Sequence, residues 1–316
     1  MAPPKFGDMN RQVTDIFNKG YFFNLFKLDL KSKTQNGVMF NVSGEHNTET
    51  ARTFGSLETK YVVKEYGLTF LEKWNTENVL KCEITADDQL AQGFKLTFDA
   101  SMVPNTGIQC RFNTRIKRFR LSGVYGSRLL KMRSQNDVQR WKKTAALRSA
   151  FQADKVHVET NIDFDTAGPI LNGSVVLGHM GWLAGYNYVY STAKAALTKN
   201  NFAVGYKAKD FTLYANMNDG NEVGGSVYQR INDRLETGLQ LAWTATSSQT
   251  RFALASKYQL DSQTAVAAKV NNICQLGLSF QQILRPGVKL TLSALFEARN
   301  MNAGGHKVGL GLDLEA

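Results

Sequence analysis

The sequence predicts an all-β fold, a long antiparallel meander entered through one short amphipathic helix. Three observations predict it. From residue 25 onward the dominant hydrophobic period is two. Short turn clusters interrupt that period about every ten residues, and the face opposite the apolar rows is mostly Gly, Ala, Ser, Thr, Asn and Gln. Composition agrees: among 316 residues, 26 glycines, five prolines and 11% aromatics exclude collagen, coiled coil and low-complexity tails.

The elements follow in chain order. Met9, Val13, Ile16 and Phe17 recur at helical spacing, with Tyr21 continuing the row. Asp8 is the expected N-cap, and the helix should end near Gly20. MAPPKFGDMN lacks a basic region followed by an apolar run, so it is not expected to be a secretory signal. Strands then begin at Leu25. Leu68, Phe70, Glu72 and Trp74 share one face, and Thr69, Leu71, Lys73 and Asn75 the other. Phe211, Leu213, Ala215 and Met217 alternate with polar residues up to Asp219-Gly220, a hairpin turn. The same alternation runs through Leu235 to Trp243, Val288 to Phe296 and Val308 to Leu314. Asp261-Ser262, Asn271-Asn272, Pro286-Gly287 and Gly304-Gly305 supply turns between such segments.

A soluble sandwich and a membrane barrel share this alternation, and the period alone leaves both open. Ten-residue units with a small neutral second face are what a tilted strand needs to cross a bilayer. No run of 18 apolar residues exists, which excludes a transmembrane helix. Enzyme readings find no support: His46, His157, His179 and His306 lack metal-ligand spacing, and no nucleophile elbow, phosphate loop or HExxH occurs. Cys82, Cys110 and Cys274 are far apart, so neither a disulfide framework nor a zinc ribbon is expected.

Several segments carry a resemblance. NLFKLDLK, GSLETKY, YGLTFLEKWNTEN, GWLAGY, NFAVGYKAKDF, AKVNN, KLTLSAL and NAGGHKVGLGL stand in that order over residues 1 to 107 and about 145 to 316. Together they resemble the mitochondrial voltage-dependent anion channels, the eukaryotic porins. The resemblance implies a transmembrane β-barrel of 19 strands (residues 25–316) with the N-terminal helical segment (residues 1–24) inside the pore. It implies a voltage-gated, weakly anion-selective diffusion pore of the mitochondrial outer membrane, passing ATP, ADP, other metabolites and small ions. The alternative is a non-conducting barrel that serves as a docking platform for cytosolic partners or lipids.

The same resemblance carries residues. Arg11, Lys19 and Lys31 match basic positions that contact nucleotide phosphates, while Thr14 stands where the family often has Arg. The glycine-rich connector is only partly kept: Gly20 stays, and Phe22 and Asn24 replace glycines. Gln275, Leu276, Gly277 and Ser293, Ala294, Leu295, Phe296, Glu297 resemble an NADH-contacting region, and Gly93-Phe94-Lys95 another nucleotide motif. No cofactor is required; NADH or ATP would be regulatory. Glu72 matches a lipid-facing glutamate linked to headgroup contact, hexokinase docking and self-association. Its position in an apolar row already marks it, because a carboxylate facing hydrocarbon is costly.

Charge is concentrated in one place. Residues 108 to 143 hold eleven basic side chains and one acid, Asp137, so that block carries +10 of the chain's +11. It has no recognised counterpart among the segments that carry the resemblance, and no sustained period. Three origins or roles compete: a translated non-coding segment, an extramembrane loop for anionic lipid, and an RNA contact through Phe112, Phe119, Tyr125 and Trp141. Because the rest of the chain is nearly neutral, the basic pI gives no general argument for nucleic acid, which is not the expected partner.

Overall fold

The computed structural model describes residues 2–89, 93–103, 144–165, 168–300 and 304–316. Cys110 and the basic block 108–143 lie outside the described residues. Among the described residues the one α-helix, α1 (Arg11–Asn18), follows a 3-10 turn at Phe6–Asp8; two further 3-10 turns stand at Lys64–Tyr66 and Ala298–Asn300. Nineteen strands come next: β1 (Leu25–Lys33), β2 (Met39–Asn47), β3 (Arg52–Val63), β4 (Leu68–Asn75), β5 (Leu80–Asp87) and β6 (Phe94–Met102) precede the block. β7 (Thr144–Gln152), β8 (Val156–Asp165), β9 (Gly168–His179), β10 (Trp182–Ser191), β11 (Ala196–Lys207), β12 (Phe211–Asn218) and β13 (Glu222–Arg230) follow it. β14 (Leu235–Thr244), β15 (Gln249–Gln259), β16 (Thr264–Asn271), β17 (Gln275–Arg285), β18 (Val288–Glu297) and β19 (Lys307–Glu315) complete the chain.

Every strand pairs antiparallel with its chain neighbours, and β1 pairs with β19, so one sheet closes into a barrel. Closure fixes the sense of that last pair. In a meander odd strands all run one way, so an odd total brings first and last strands together parallel. The register is Phe26↔Leu310 through Lys31↔Glu315. Closure also removes the sheet edges that hydrocarbon could not satisfy.

The alternation sorts side chains by face as expected. Phe26, Leu28, Leu30, Phe70, Trp74, Leu213, Met217, Trp243 and Leu292 are exposed on the outer wall. Buried Thr85, Thr97, Ser174, Ser226, Ser279, Thr291 and Ser293 line the other face. This is the reverse of a soluble sandwich, whose apolar rows would meet inside. It is the arrangement of a membrane-crossing barrel with a polar lumen. The Asp219-Gly220 hairpin takes the predicted form, with φ +50° and +67°.

Two local expectations are corrected. Asp8 does not cap α1: it closes the 3-10 turn, and the N-cap is Asn10, which makes no side-chain cap bond. The Asn10 amide oxygen instead accepts a 2.6 Å bond from the Ser226 hydroxyl of β13. Tyr21 is not on the helix, which stops at Asn18 ahead of Gly20 at φ +85°.

Candidate functional site

The lumen is occupied by the chain's own N-terminus. α1 presents Val13, Ile16 and Phe17 to Tyr228, Ala253 and Ala255 of β13 and β15. Just before it, Met9 covers Val176 and Ala203, with Phe6, Leu183 and Tyr214 around them. The wall makes room with glycine: a Cβ on Gly185 would stand 2.8 Å from Phe6 and Met9, and one on Gly277 2.9 Å from Phe23. Polar wall groups hold the segment as well. Thr212 donates to Gln12 at 2.6 Å, Ser279 to the Gly20 carbonyl at 2.6 Å, and Lys269 Nζ to the Phe17 carbonyl at 2.7 Å. Lys269 also lies 4.1 Å above the Tyr21 ring and 5.1 Å from that of Phe23. An ammonium therefore terminates the helix where its carbonyls are unpaired.

Between α1 and the β1–β19–β18–β17 wall a cavity of about 970 Å³ remains open to the lumen. Its cations are Lys19, Lys27, Lys31, Arg230, Lys257 and Lys289, and its acids Asp15, Asp29, Glu236, Asp313 and Glu315. Three of the cations are engaged: Lys19 with Asp15 at 2.7 Å, Lys27 with Asp29 at 3.0 Å, Arg230 with Glu236 at 3.7 Å. Among the described residues, Lys31, Lys257 and Lys289 have no carboxylate within the 4.0 Å of an ion pair. Such ammonium groups offer point charges to a passing phosphate without fixing its geometry.

The predicted positions divide accordingly. Lys19 and Lys31 meet in this cavity; Arg11 does not line it and is flanked by Asp8 at 3.8 Å and Asp15 at 3.9 Å. Thr14 turns back to the Asn10 carbonyl at 3.0 Å. In the second candidate stretch Gln275 pairs with Glu297, Leu276 with Phe296 and Gly277 with Leu295. Gln275, Gly277, Ser293, Leu295 and Glu297 fall on the lumen side, and Leu276, Ala294 and Phe296 on the outer side. Part of that lumen side is covered: Phe23 lies over Gly277, and the Phe22 amide donates to the Ser293 hydroxyl at 2.9 Å. Gly93 ends a turn, and Lys95 lines a smaller lumen cavity across from Asp87 at 3.5 Å.

Glu72 stands fifth of eight residues in β4, exposed on the outer wall between Phe70 and Trp74. Its cross-strand neighbours are Thr59 and Cys82, both on the outer face. Among the described residues no cation comes within ion-pair distance of it. Lys27, Lys257 and Lys289 were not singled out from sequence, although strand parity already places each on the polar face. What was missing was neighbourhood: β1 and β17 flank the same cavity only because β1 closes on β19.

Known proteins resemble this chain in sequence. The eukaryotic porin family model matches residues 2–123 and 122–309, two pieces that meet inside the basic block. The chain is 49% identical over 315 residues to the "Non-selective voltage-gated ion channel VDAC2" of Xenopus laevis, covering 100% of both. It is equally 49% identical to the VDAC1 proteins of the same description from Homo sapiens and Sus scrofa, over 100% of this chain and 99% of each relative. Among solved structures, a mutant of Rh. blastica porin aligns over 87% of this chain and 98% of its own at 13% identity, with a TM-score of 0.47. A closed 19-stranded wall, an N-terminal helix in its lumen and near-half identity over the whole length place this chain in the eukaryotic porin family.

Proposed function

We propose that this chain forms a voltage-gated, weakly anion-selective diffusion pore of the mitochondrial outer membrane, passing ATP, ADP, other metabolites and small ions. The observation that carries the reading is the lumen cavity, where Lys31, Lys257 and Lys289 stand without ion-pair partners among the described residues, opposite Lys19 of the segment that ends the helix. Cations in a water-filled lumen lower the electrostatic barrier to anions, while loose point contacts let them leave again. A nucleotide in the pore, ATP or NADH, would meet these ammonium groups first. In the NADH-like stretch it would have to displace Phe22 and Phe23 from the wall. On the outside, Glu72 is the position for lipid-headgroup contact, hexokinase docking and self-association.

The test is single-channel current from the purified full-length chain in a planar bilayer, with and without residues 108–143. Voltage-dependent, anion-preferring current is expected from both forms. K31E together with K289E should move the reversal potential in a salt gradient towards cation preference. Current from the deleted form alone would overturn the reading for the full-length chain.

A further inference from the structure

The first residues of the chain are docked across β8–β10 by contacts that differ from those of the helix. Pro3 is fully buried and lies against Gly178, where a Cβ would stand 3.1 Å from it. Lys5 Nζ reaches Glu159 Oε1 at 3.0 Å, an ion pair whose lysine side chain is 55% exposed and whose glutamate side chain is 20% exposed. The same Glu159 Oε1 is 3.5 Å from Nε2 of His157, which is only 4% exposed. Among the described residues neither ring nitrogen of His157 has a hydrogen-bond partner. A buried imidazole with both nitrogens unused costs free energy in either tautomer, since one nitrogen always carries a proton.

On β8 itself the facing charges are Glu159 and, further along the same face, Asp163; from the N-terminal segment comes Lys5, and Glu83 of β5 and Lys95 of β6 line the same small cavity. From β9 come Val176, which is the cross-strand partner of His157, and Ser174, whose hydroxyl donates to Glu159 at 3.4 Å. From β7 comes Gln152, opposite His157, and further along Arg148, already paired with Asp99 at 2.9 Å. Asp154 and Lys155, exposed in the turn before β8, are the remaining charges nearby in sequence.

We propose that His157, Glu159 and Lys5 form a proton-operated latch for the N-terminal end. With the imidazole neutral, Glu159 holds Lys5 and Pro3 stays in its seat. Protonation turns His157 into a buried cation 3.5 Å from the carboxylate, with no other acid in ion-pair contact among the described residues. Glu159 then has two cationic partners. Lys5, half in water, can leave at small cost, whereas the imidazolium cannot, so the carboxylate exchanges Lys5 for His157. Like-charge repulsion between Lys5 and the imidazolium acts in the same direction. The latch is therefore closed while the His157 imidazole is neutral and opens when acidification adds a proton to it. It does not depend on whether the pore conducts.

The experiment uses the full-length chain in liposomes with its three cysteines replaced by serine and a nitroxide at Ala2→Cys. Between pH 8 and pH 5 the label should pass from restricted to mobile. In the His157→Gln variant it should stay restricted throughout; in Glu159→Gln it should be mobile throughout. A pH-independent label in the parent, or a transition that survives His157→Gln, would overturn the latch. Should His157→Gln fail to assemble, imidazole ¹⁵N shifts of the parent decide the matter: His157 must gain its proton over the same pH range in which the label is released. A ring that stays neutral while the label moves refutes the proposal.

Discussion

Adding one methyl group at two lumen glycines should have opposite consequences. At Gly238 a Cβ would meet Phe17, Val13 and Ile16 at 3.5, 3.7 and 3.8 Å, ordinary contact distances. Gly238→Ala should therefore leave α1 in place, with a change within about 1 kcal/mol from added contact and lost chain freedom. At Gly309 the same Cβ would fall on the carbonyl oxygen of Phe22. That is backbone, so the connector must leave the wall. Leaving breaks the 2.9 Å bond from the Phe22 amide to Ser293 and the 2.9 Å bond from the Asn24 amide to the Val308 carbonyl. Each is worth about 1 kcal/mol net. It also lifts the half-buried Phe22 ring from Gly311, roughly another 1 kcal/mol. The total is about 3 kcal/mol, or on the order of 100-fold in the docking equilibrium. A nitroxide at Lys19→Cys in a cysteine-free background reads the connector, and the urea concentration that releases it reads the equilibrium. Gly309→Ala should lower that midpoint by the equivalent of about 3 kcal/mol through the m-value of the transition, and Gly238→Ala should not. Equal midpoints for the two variants would refute the reading of Phe22 as a wall anchor.

Glu72→Leu should stabilise the folded barrel in liposomes by about 1–2 kcal/mol, measured by denaturant unfolding, because a carboxylate on the lipid face is unfavourable; an unchanged or lower stability would mean that headgroups or water satisfy it. Lys269→Met keeps the aliphatic stem but removes the bond to the Phe17 carbonyl and the charge above Tyr21, and should weaken connector docking by about 2 kcal/mol in the same urea assay. Glu49, in the β2–β3 turn, is held below its ordinary value by hydrogen bonds from Lys307 and then Asn24. A lowered folded-state value means its contribution is complete above the unfolded glutamate range, about pH 4, and is lost as pH falls through the folded value. Connector release should accordingly become easier below about pH 4 in the parent, and the stability difference between the parent and Glu49→Gln, in which the other carboxylates cancel, should shrink over that range.

Much of the wall is legible one strand at a time, because parity is a local property. Leu68, Phe70, Glu72 and Trp74 can be assigned one face without knowing what lies beyond them. The N-terminal segment is different. Asp8 is a sound local cap, but Phe6 and Met9 have to reach the wall at Gly185, and that packing sets where the helix starts. Tyr21 stands four residues after Phe17, yet Gly20 turns the chain so that its carbonyl meets Ser279. Lys5 with Glu159 and Phe22 with Gly309 pair residues far apart in sequence, and only closure of the sheet makes them neighbours. The cavity cations were visible as polar-face residues; their assembly into one site was not.

Closure also bears on the basic block. β6 and β7 are paired without a register shift from Phe94↔Phe151 to Ser101↔Thr144, so the wall is continuous across the strands that flank it. Strand parity fixes the rim from which the block springs. β6 is an even strand, so its far end lies with the turns after β2, β4 and β12, opposite the C-terminal Ala316, which follows odd-numbered β19. That rim is also where the connector enters the wall, with Asn24 donating to Glu49 at 2.7 Å and Lys307 to the same carboxylate at 2.9 Å. The +10 charge of residues 108–143 joins the wall at that rim, and a positive charge held at one mouth raises the local concentration of anions there. Its deletion should then change entry from one side of the membrane more than from the other. Conductance that differs between the two orientations at low salt, and loses that difference at high salt or after deletion, is the expected signature.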